Sequence, residues 1–138
     1  MSRSGYSDDL DPEELTMWRG AVASAIRGKR GQAFLREMLV SLDALQEKRL
    51  IVGELQDEHG AVCALGSVGA SRGLDMSHLS YDDNRDKLAS VFDVAGALVA
   101  EIEFINDDDF GYLSSAETEG RRFHRVRNWV VENIKEVS

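Results

Sequence analysis

The chain has few of the residues that stabilise small folds by covalent bonds or rigid backbone. It contains one cysteine, Cys63, and one proline, Pro12, in 138 residues. A single cysteine excludes an internal disulfide and a thiolate metal cluster, and it fits a reducing compartment. A membrane-spanning helix needs about 18 consecutive apolar residues, which occur nowhere, and the first residues lack the apolar run of a secretory signal. We therefore expect a soluble cytoplasmic protein that makes no contact with a membrane.

Basic residues are also in short supply. The chain has 16 lysines and arginines against 25 aspartates and glutamates, which gives a net charge of −9. This charge opposes nonspecific attraction to nucleic acid and to anionic lipid. The acids cluster at 93–119, where eight occur without a lysine or arginine, whereas 27–30 and 121–127 are basic. Such clusters are usually solvated faces. Pairing of 121–127 with 93–119, within the chain or across a homodimer, remains open.

Helical periodicity covers most of the chain. It predicts a helix after Pro12 and a second helix after the glycines at 28–31, joined as a hairpin. Two short apolar runs, 50–55 and 61–65, flank the polar turn DEHG and predict a β-hairpin. Residues 66–84 lack periodicity and are predicted to form a long loop. Three helices are predicted to follow, at 85–92, 94–105 and 116–137.

These elements predict one domain over residues 1–138, with 1–10 as a flexible N-terminus. The predicted class is α+β, mainly α-helical. Its parts are an N-terminal helix hairpin, a small β-hairpin and three C-terminal helices that include a helix-turn-helix-like pair.

The stretch NDDDFGYLSSAE at 106–117 has some features of a calcium-binding loop. With Asn106 at position 1 of twelve, Gly111 and Glu117 take positions 6 and 12. However, Phe110 offers no oxygen at position 5, and Ser114 with Glu117 forms a capping box that needs no metal. We interpret the stretch as an acidic connection between helices, with calcium as the minor alternative. We expect no bound metal and no cofactor.

Residues 85–104 have the apolar spacing of a helix-turn-helix, with the small Ala89 where the helices would cross. The second helix would present small or acidic side chains instead of the Arg, Lys, Asn or Gln that read bases: Ala95, Gly96, Ala97, Ala100 and Glu101. The spacing therefore indicates helix packing. A DNA-binding regulator, with 121–127 supplying phosphate contacts, is kept as the alternative function.

Other motifs do not indicate catalysis. GASRG at 69–73 matches G-x-S-x-G with Ser71 at the nucleophile position, but no helix start follows it. The histidines are dispersed, and none has a histidine partner one turn away: His59, His78 and His124. We expect no catalytic residue and no enzymatic activity.

Several segments of the sequence are distinctive: MWRGAVASAIRGKRGQAFLREML at 17–39, EKRLI at 47–51, VCALG at 62–66 and RGLDMS at 72–77. With them the chain resembles, over most of its length, a recurrent family of small proteins encoded by tailed phages and prophages. The resemblance implies an accessory protein that acts in the cytoplasm of a bacterial host. It implies no particular activity or catalytic residue.

This context favours noncatalytic binding to a host protein or a defence component, and anti-CRISPR-like inhibition is one form of it. An acidic surface that imitates nucleic acid would serve such binding. The candidate partner-binding residues lie in the acidic cluster: Glu101, Glu103, Asp107, Asp108 and Asp109.

Overall fold

A computed structural model describes residues 12–74, 76, 79, 85–107 and 117–135, with backbone alone at 12–15 and 85. Six helices lie in these ranges: α1 (Pro12–Arg27), α2 (Lys29–Asp43), α3 (Ala64–Ser71), α4 (Arg85–Phe92), α5 (Gly96–Asp107) and α6 (Glu119–Asn133). No strand or sheet occurs in this part of the chain, where β-type pairing is limited to one bridge between Gln56 and Val62. The described protein is mainly helical, and the predicted α+β class is wrong.

A buried loop between α2 and α3 takes the place of the predicted β-hairpin. The N–H of Ile51 donates to the carbonyl of Val62 at 3.0 Å, and the N–H of Cys63 donates to the carbonyl of Leu55 at 3.2 Å. These bonds do not extend into a ladder. Adjacent residues are buried on both arms of the loop. The apolar runs therefore reflect burial of adjacent residues and not the alternating burial of a strand with one solvent-facing side.

Helix α3 begins where the second strand of the hairpin was expected to end. Cys63 is its N-cap, and the Sγ atom accepts from the N–H of Gly66 at 3.4 Å. Residues 64–69 are all buried, so the helix lacks the polar face that makes helical periodicity visible. A β-carbon at position 66 would lie 1.8 Å from the carbonyl oxygen of Leu55, so only glycine fits. The predicted loop at 66–84 is wrong in its first part, which is helical.

The core forms where the longer helices meet. Helix α2 packs against α3 and α6, and α5 packs against α1, α3, α4 and α6. The apolar stripes of α2 and α6 are buried in this core: Phe34, Leu35, Met38, Leu42, Phe123, Val126 and Val130. Because α5 contacts four other helices, it occupies the centre of the described fold.

A residue with left-handed backbone conformation ends α4. Asp93 has a φ of 58°, and the N–H of Val94 donates to the carbonyl of Ala89 at 3.0 Å. This is the Schellman arrangement, which usually places glycine at the left-handed position. The carboxylate of Asp93 lies 3.2 Å from a guanidinium nitrogen of Arg30, and both side chains are mostly exposed. Such a surface pair contributes little to stability.

Replacing Asp93 with valine should lower the free energy of unfolding by about 1 to 2 kcal/mol, because a β-branched residue is strained in the left-handed region. Asp93→Gly should not lower it, since glycine carries no such strain. Urea denaturation followed by circular dichroism would measure both. Arg30→Ser is the control for the lost ion pair and should change stability by less than about 1 kcal/mol. Equal stability of the valine and glycine variants would contradict the assigned strain.

Candidate functional site

Three of the five candidate partner-binding residues lie inside the protein. Glu101, Glu103 and Asp107 expose only 8%, 3% and 5% of their surface. Each is engaged by other groups of the protein. Asp108 and Asp109 lie outside the described residues. The structure therefore does not bring Glu101, Glu103 and Asp107 together on an exposed acidic face.

Asn106, which is fully buried, joins the end of α5 to two other segments. Its Nδ2 donates to the carbonyl of Ile51 at 2.9 Å, and its Oδ1 accepts from the N–H of Ala64 at 3.0 Å. Oδ2 of Asp107 accepts from the N–H of Gly53 at 3.4 Å. Since the first N–H groups of a helix have no partner within the helix, Asn106 satisfies one that α3 leaves open. These two polar residues of the acidic cluster therefore have a structural role.

An ion pair fixes the start of α6 against the end of α5. Nε and Nη2 of Arg125 donate to the two carboxylate oxygens of Glu117 at 2.7 and 2.8 Å. Nη1 of Arg125 donates to the carbonyl of Ile105. The hydrogen bonds from Arg125, helped by its charge, lower the pKa of Glu117 below its ordinary value. The basic segment 121–127 thus pairs with the acidic cluster within the chain at this point.

Glu117→Gln should lower the free energy of unfolding near pH 7 by about 2 kcal/mol, because the charge-assisted hydrogen bonds are lost. A lowered folded-state pKa means that this stabilisation is complete above the ordinary value of 4.5 and is lost as the pH falls through the lowered value. The difference from wild type should therefore shrink as the pH falls below 4.5. Urea denaturation at a series of pH values would measure it.

Glu132→Gln is the matched control for this pH series, since Glu132 is an exposed carboxylate on α6, the helix that Glu117 precedes. It should behave as wild type at every pH. A difference between Glu117→Gln and wild type that does not depend on pH would contradict the ionic role of Glu117.

The residues at positions 1 and 12 of the possible calcium loop, Asn106 and Glu117, bond to other groups of the protein. Asn106 bonds to the backbone of two segments, and Glu117 bonds to Arg125. Thr118 is the N-cap of α6, and its Oγ1 accepts from the N–H of Arg121 at 3.1 Å. The predicted capping box, which includes Glu117, is therefore wrong for this helix. Residues 108–116, which would supply the middle of a calcium loop, lie outside the described residues.

Helix α5 would be the recognition helix of the DNA-binding alternative, and it lies in the centre of the fold. None of its residues is exposed, although a recognition helix must present one face to the major groove. Three of the four arginines in 121–127 are also engaged by the fold: Arg122, Arg125 and Arg127. The geometry gives no support to base reading by α5 or to a row of phosphate contacts on α6.

The described residues of the remaining sequence motifs do not form a catalytic or metal-binding site together. Ser71 is the exposed last residue of α3, so a helix precedes it where the nucleophile motif requires a strand. His59 and His124 are exposed and lie on different elements, and His78 lies outside the described residues. Cys63 is buried as the N-cap of α3.

A groove with a volume of about 350 Å³ runs between α1 and α6. One face of α1 lines it with five side chains: Arg19, Val22, Ala23, Ile26 and Arg27. Helix α6 contributes Trp129 and Asn133, one turn apart, and α5 contributes Glu101. The apolar side chains of α1 lie between its two arginines in sequence. The groove therefore combines an apolar middle with a basic residue at each end of the α1 face.

The two arginines are available to a ligand. Arg19 and Arg27 are exposed, and neither makes a hydrogen bond or ion pair within the described ranges. Sequence reasoning did not identify them, because helical periodicity follows the apolar residues of α1 and does not show which basic residues are exposed. A signal was present, since residues 15–36 contain five basic residues and no acid.

Gln32 fixes the shape of the groove by joining the ends of α1 and α6. Its Nε2 donates to the carbonyls of Ile26 at 2.7 Å and Asn133 at 2.9 Å. Its Oε1 accepts from the N–H of Lys135 at 2.8 Å. The amide is buried, so these bonds are shielded from competition with water. They hold the two helix ends at a set distance.

Gln32→Ala should lower the free energy of unfolding by about 1 to 3 kcal/mol, because it leaves three partly buried backbone groups without these hydrogen bonds. Chemical denaturation would measure the loss. The control is Ala33→Ser, at an exposed neighbouring position of α2, which should be close to neutral. Wild-type stability of the Gln32 variant would contradict the bridging role.

A second cavity, of about 360 Å³, lies between the end of α2 and residues 59–62. Its charged side chains are already paired. Arg49 donates to Glu47 at 2.6 Å and to Glu119 at 2.9 Å, and these contacts raise the pKa of the guanidinium. Because Arg19 and Arg27 are not paired in this way, the groove between α1 and α6 is the better candidate site.

Comparison with known proteins adds no functional information. No family model, curated protein or solved structure matches the chain. Among the residues described, no helix is both long enough and apolar enough to span a bilayer. In the same residues, no three His, Cys, Asp or Glu side chains are grouped to hold a metal ion.

Proposed function

We propose that this protein acts by noncatalytic binding to another protein, as a phage or prophage accessory protein in the cytoplasm of a bacterial host. The partner is a host factor or a defence component, and anti-CRISPR-like inhibition is one form of the activity. The observation that carries the proposal is the groove between α1 and α6, with its apolar middle and its two exposed arginines, which have no partner among the described residues. The phage context comes from the resemblance of several stretches of the sequence to a family of small phage and prophage proteins.

The chemistry of the groove suits a protein partner. Trp129 and Arg side chains are among the residue types that dominate the energetics of protein interfaces. The arginines can pair with carboxylates on a partner, which steers encounter and sets orientation. We therefore propose α1 and α6 as the binding surface in place of the acidic cluster that the sequence favoured.

Other observations disfavour nucleic acid at this site. The net charge of −9 opposes attraction to a polyanion. Glu101 lines the groove and would repel phosphates that entered it. Helix α5, the recognition helix of the regulator alternative, is enclosed by the other helices. We therefore favour a protein partner over a DNA-binding regulator.

Affinity capture from nuclease-treated lysate of a bacterial host would test the proposal. The tagged wild-type chain should retain a specific protein. Arg19→Ser and Arg27→Ser should each reduce recovery by about tenfold, the effect of losing about 1.4 kcal/mol of binding energy. Arg121→Ser is the matched control, since Arg121 is an exposed arginine on α6 that does not line the groove. Its recovery should equal that of wild type.

Two results would contradict the proposal. One is that no protein is retained above the level of an unrelated acidic bait. The other is that retention disappears with nuclease treatment and with rising salt, because phosphate contacts weaken in this way and would identify nucleic acid as the ligand.

A further inference from the structure

We propose that the groove between α1 and α6 binds an amphipathic helix of the partner, with its apolar face inward and two carboxylates paired to Arg19 and Arg27. This assignment rests on the proposed binding function and names the chemistry of the partner. It follows from the apolar middle, the basic ends, the acidic lining residue and the rigid support of the groove.

The middle of the groove fits apolar side chains. Val22, Ala23 and Ile26 of α1 line it together with Trp129 of α6. The volume of about 350 Å³ is at the lower end of the range for ligand pockets, and the groove is open to solvent. An open apolar groove of this kind is the usual site for the apolar stripe of a helix.

The ends of the α1 face set the position of the partner's charges. Arg19 and Arg27 are eight residues apart, which corresponds to about 12 Å along a helix. Two carboxylates separated by seven or eight residues on an amphipathic helix have nearly the same spacing. Because residues 15–36 contain no acid, no neighbouring carboxylate in that segment competes for the arginines. The spacing therefore selects a helix with two acids about two turns apart.

Glu101 discriminates between partners by its place in the lining of the groove. Its side chain comes from the central helix α5 and exposes 8% of its surface. A ligand with negative charge along its whole length would bring charge against Glu101, which is unfavourable at low dielectric. An amphipathic helix presents apolar groups there and keeps its carboxylates at the ends. The same arrangement disfavours single-stranded nucleic acid.

The groove is held in shape before the partner arrives. Gln32 bonds to the carbonyls of Ile26 and Asn133, and both of these residues line the groove. A preformed site loses less entropy on binding than a site that must be ordered by its ligand. Binding should therefore be measurable with an isolated helical peptide.

The probe is a fluorescein-labelled synthetic helix of about five turns, with leucines along one face and two glutamates eight residues apart. Fluorescence anisotropy with the full chain should show saturable binding. Arg19→Ser and Arg27→Ser should each weaken it about tenfold, and Arg121→Ser should not. A peptide with glutamine in place of both glutamates should bind wild type about a hundredfold more weakly if the two contacts are independent.

Two further variants separate shape from charge. Arg19→Glu combined with Arg27→Glu should reject the glutamate peptide and bind its lysine counterpart, because the charges are exchanged. Ala23→Trp should block the groove without changing any charge and should abolish binding. Circular dichroism of each variant would verify that the helices are retained.

Three results would overturn the inference. The first is no binding of the glutamate peptide to wild type. The second is equal binding of a leucine-free glutamate peptide or of single-stranded DNA, which would show attraction by charge alone. The third is a concentration-dependent dimer that excludes the peptide, which would make a second copy of the chain the occupant. If arginine-dependent capture from lysate persists while the peptide fails, the proposed function stands and this inference falls.

Discussion

Burial of the C-terminal end of α5 is the constraint on which the rest of the described fold depends. The last turn of a helix has carbonyl groups without partners in the helix, and burial requires that other groups satisfy them. Arg125 donates to the carbonyls of Ile105 and Asn106. The side chain of Asn106 then connects the carbonyl of Ile51 to the N–H of Ala64. One polar junction thus positions the α2–α3 loop, the start of α3 and the start of α6.

This junction explains why a cluster of acids in the sequence does not become an acidic face in this part of the fold. Asp107 accepts a backbone hydrogen bond, and Glu117 pairs with Arg125. A carboxylate in a protein interior must be paired or hydrogen-bonded, so each acid here is tied to a particular structural contact. Changing these acids would therefore alter the stability of the fold before it altered any binding surface.

Because α5 is enclosed, the described helical surface that a partner could reach lies on the outer helices. Helix α1 packs on α5 and directs its basic side chains outward. A small basic site on a chain with a net charge of −9 would favour the partner that we propose, because the overall charge repels polyanions while local arginines attract carboxylates. Gln32 keeps α1 and α6 together at the end of this site.

The sequence by itself determined where amphipathic helices lie, because a helix that is buried on one face leaves a period of 3.6 residues in the apolar pattern. Period-based reasoning placed helices at α1, α2, α4, α5 and α6, and the structure has helices there. It failed at α3, whose residues 64–69 are all buried and leave no period to detect. The apolar runs around Ile51 and Val62 looked like strands because a short apolar run does not by itself distinguish a strand from a buried loop.

The sequence also shows where charged residues cluster, whereas only the tertiary structure shows which of them are buried, paired or exposed. Counting residues revealed the acidic cluster at 93–119 and the acid-free segment at 15–36, but a count does not show which charges are paired. Tertiary structure buried Glu101 and Glu103 and left Arg19 and Arg27 exposed. It also formed the groove, whose two walls are both bonded to Gln32 of α2, in one case over a separation of 101 residues. Contacts over such separations depend on how the whole chain packs, and no local pattern records them.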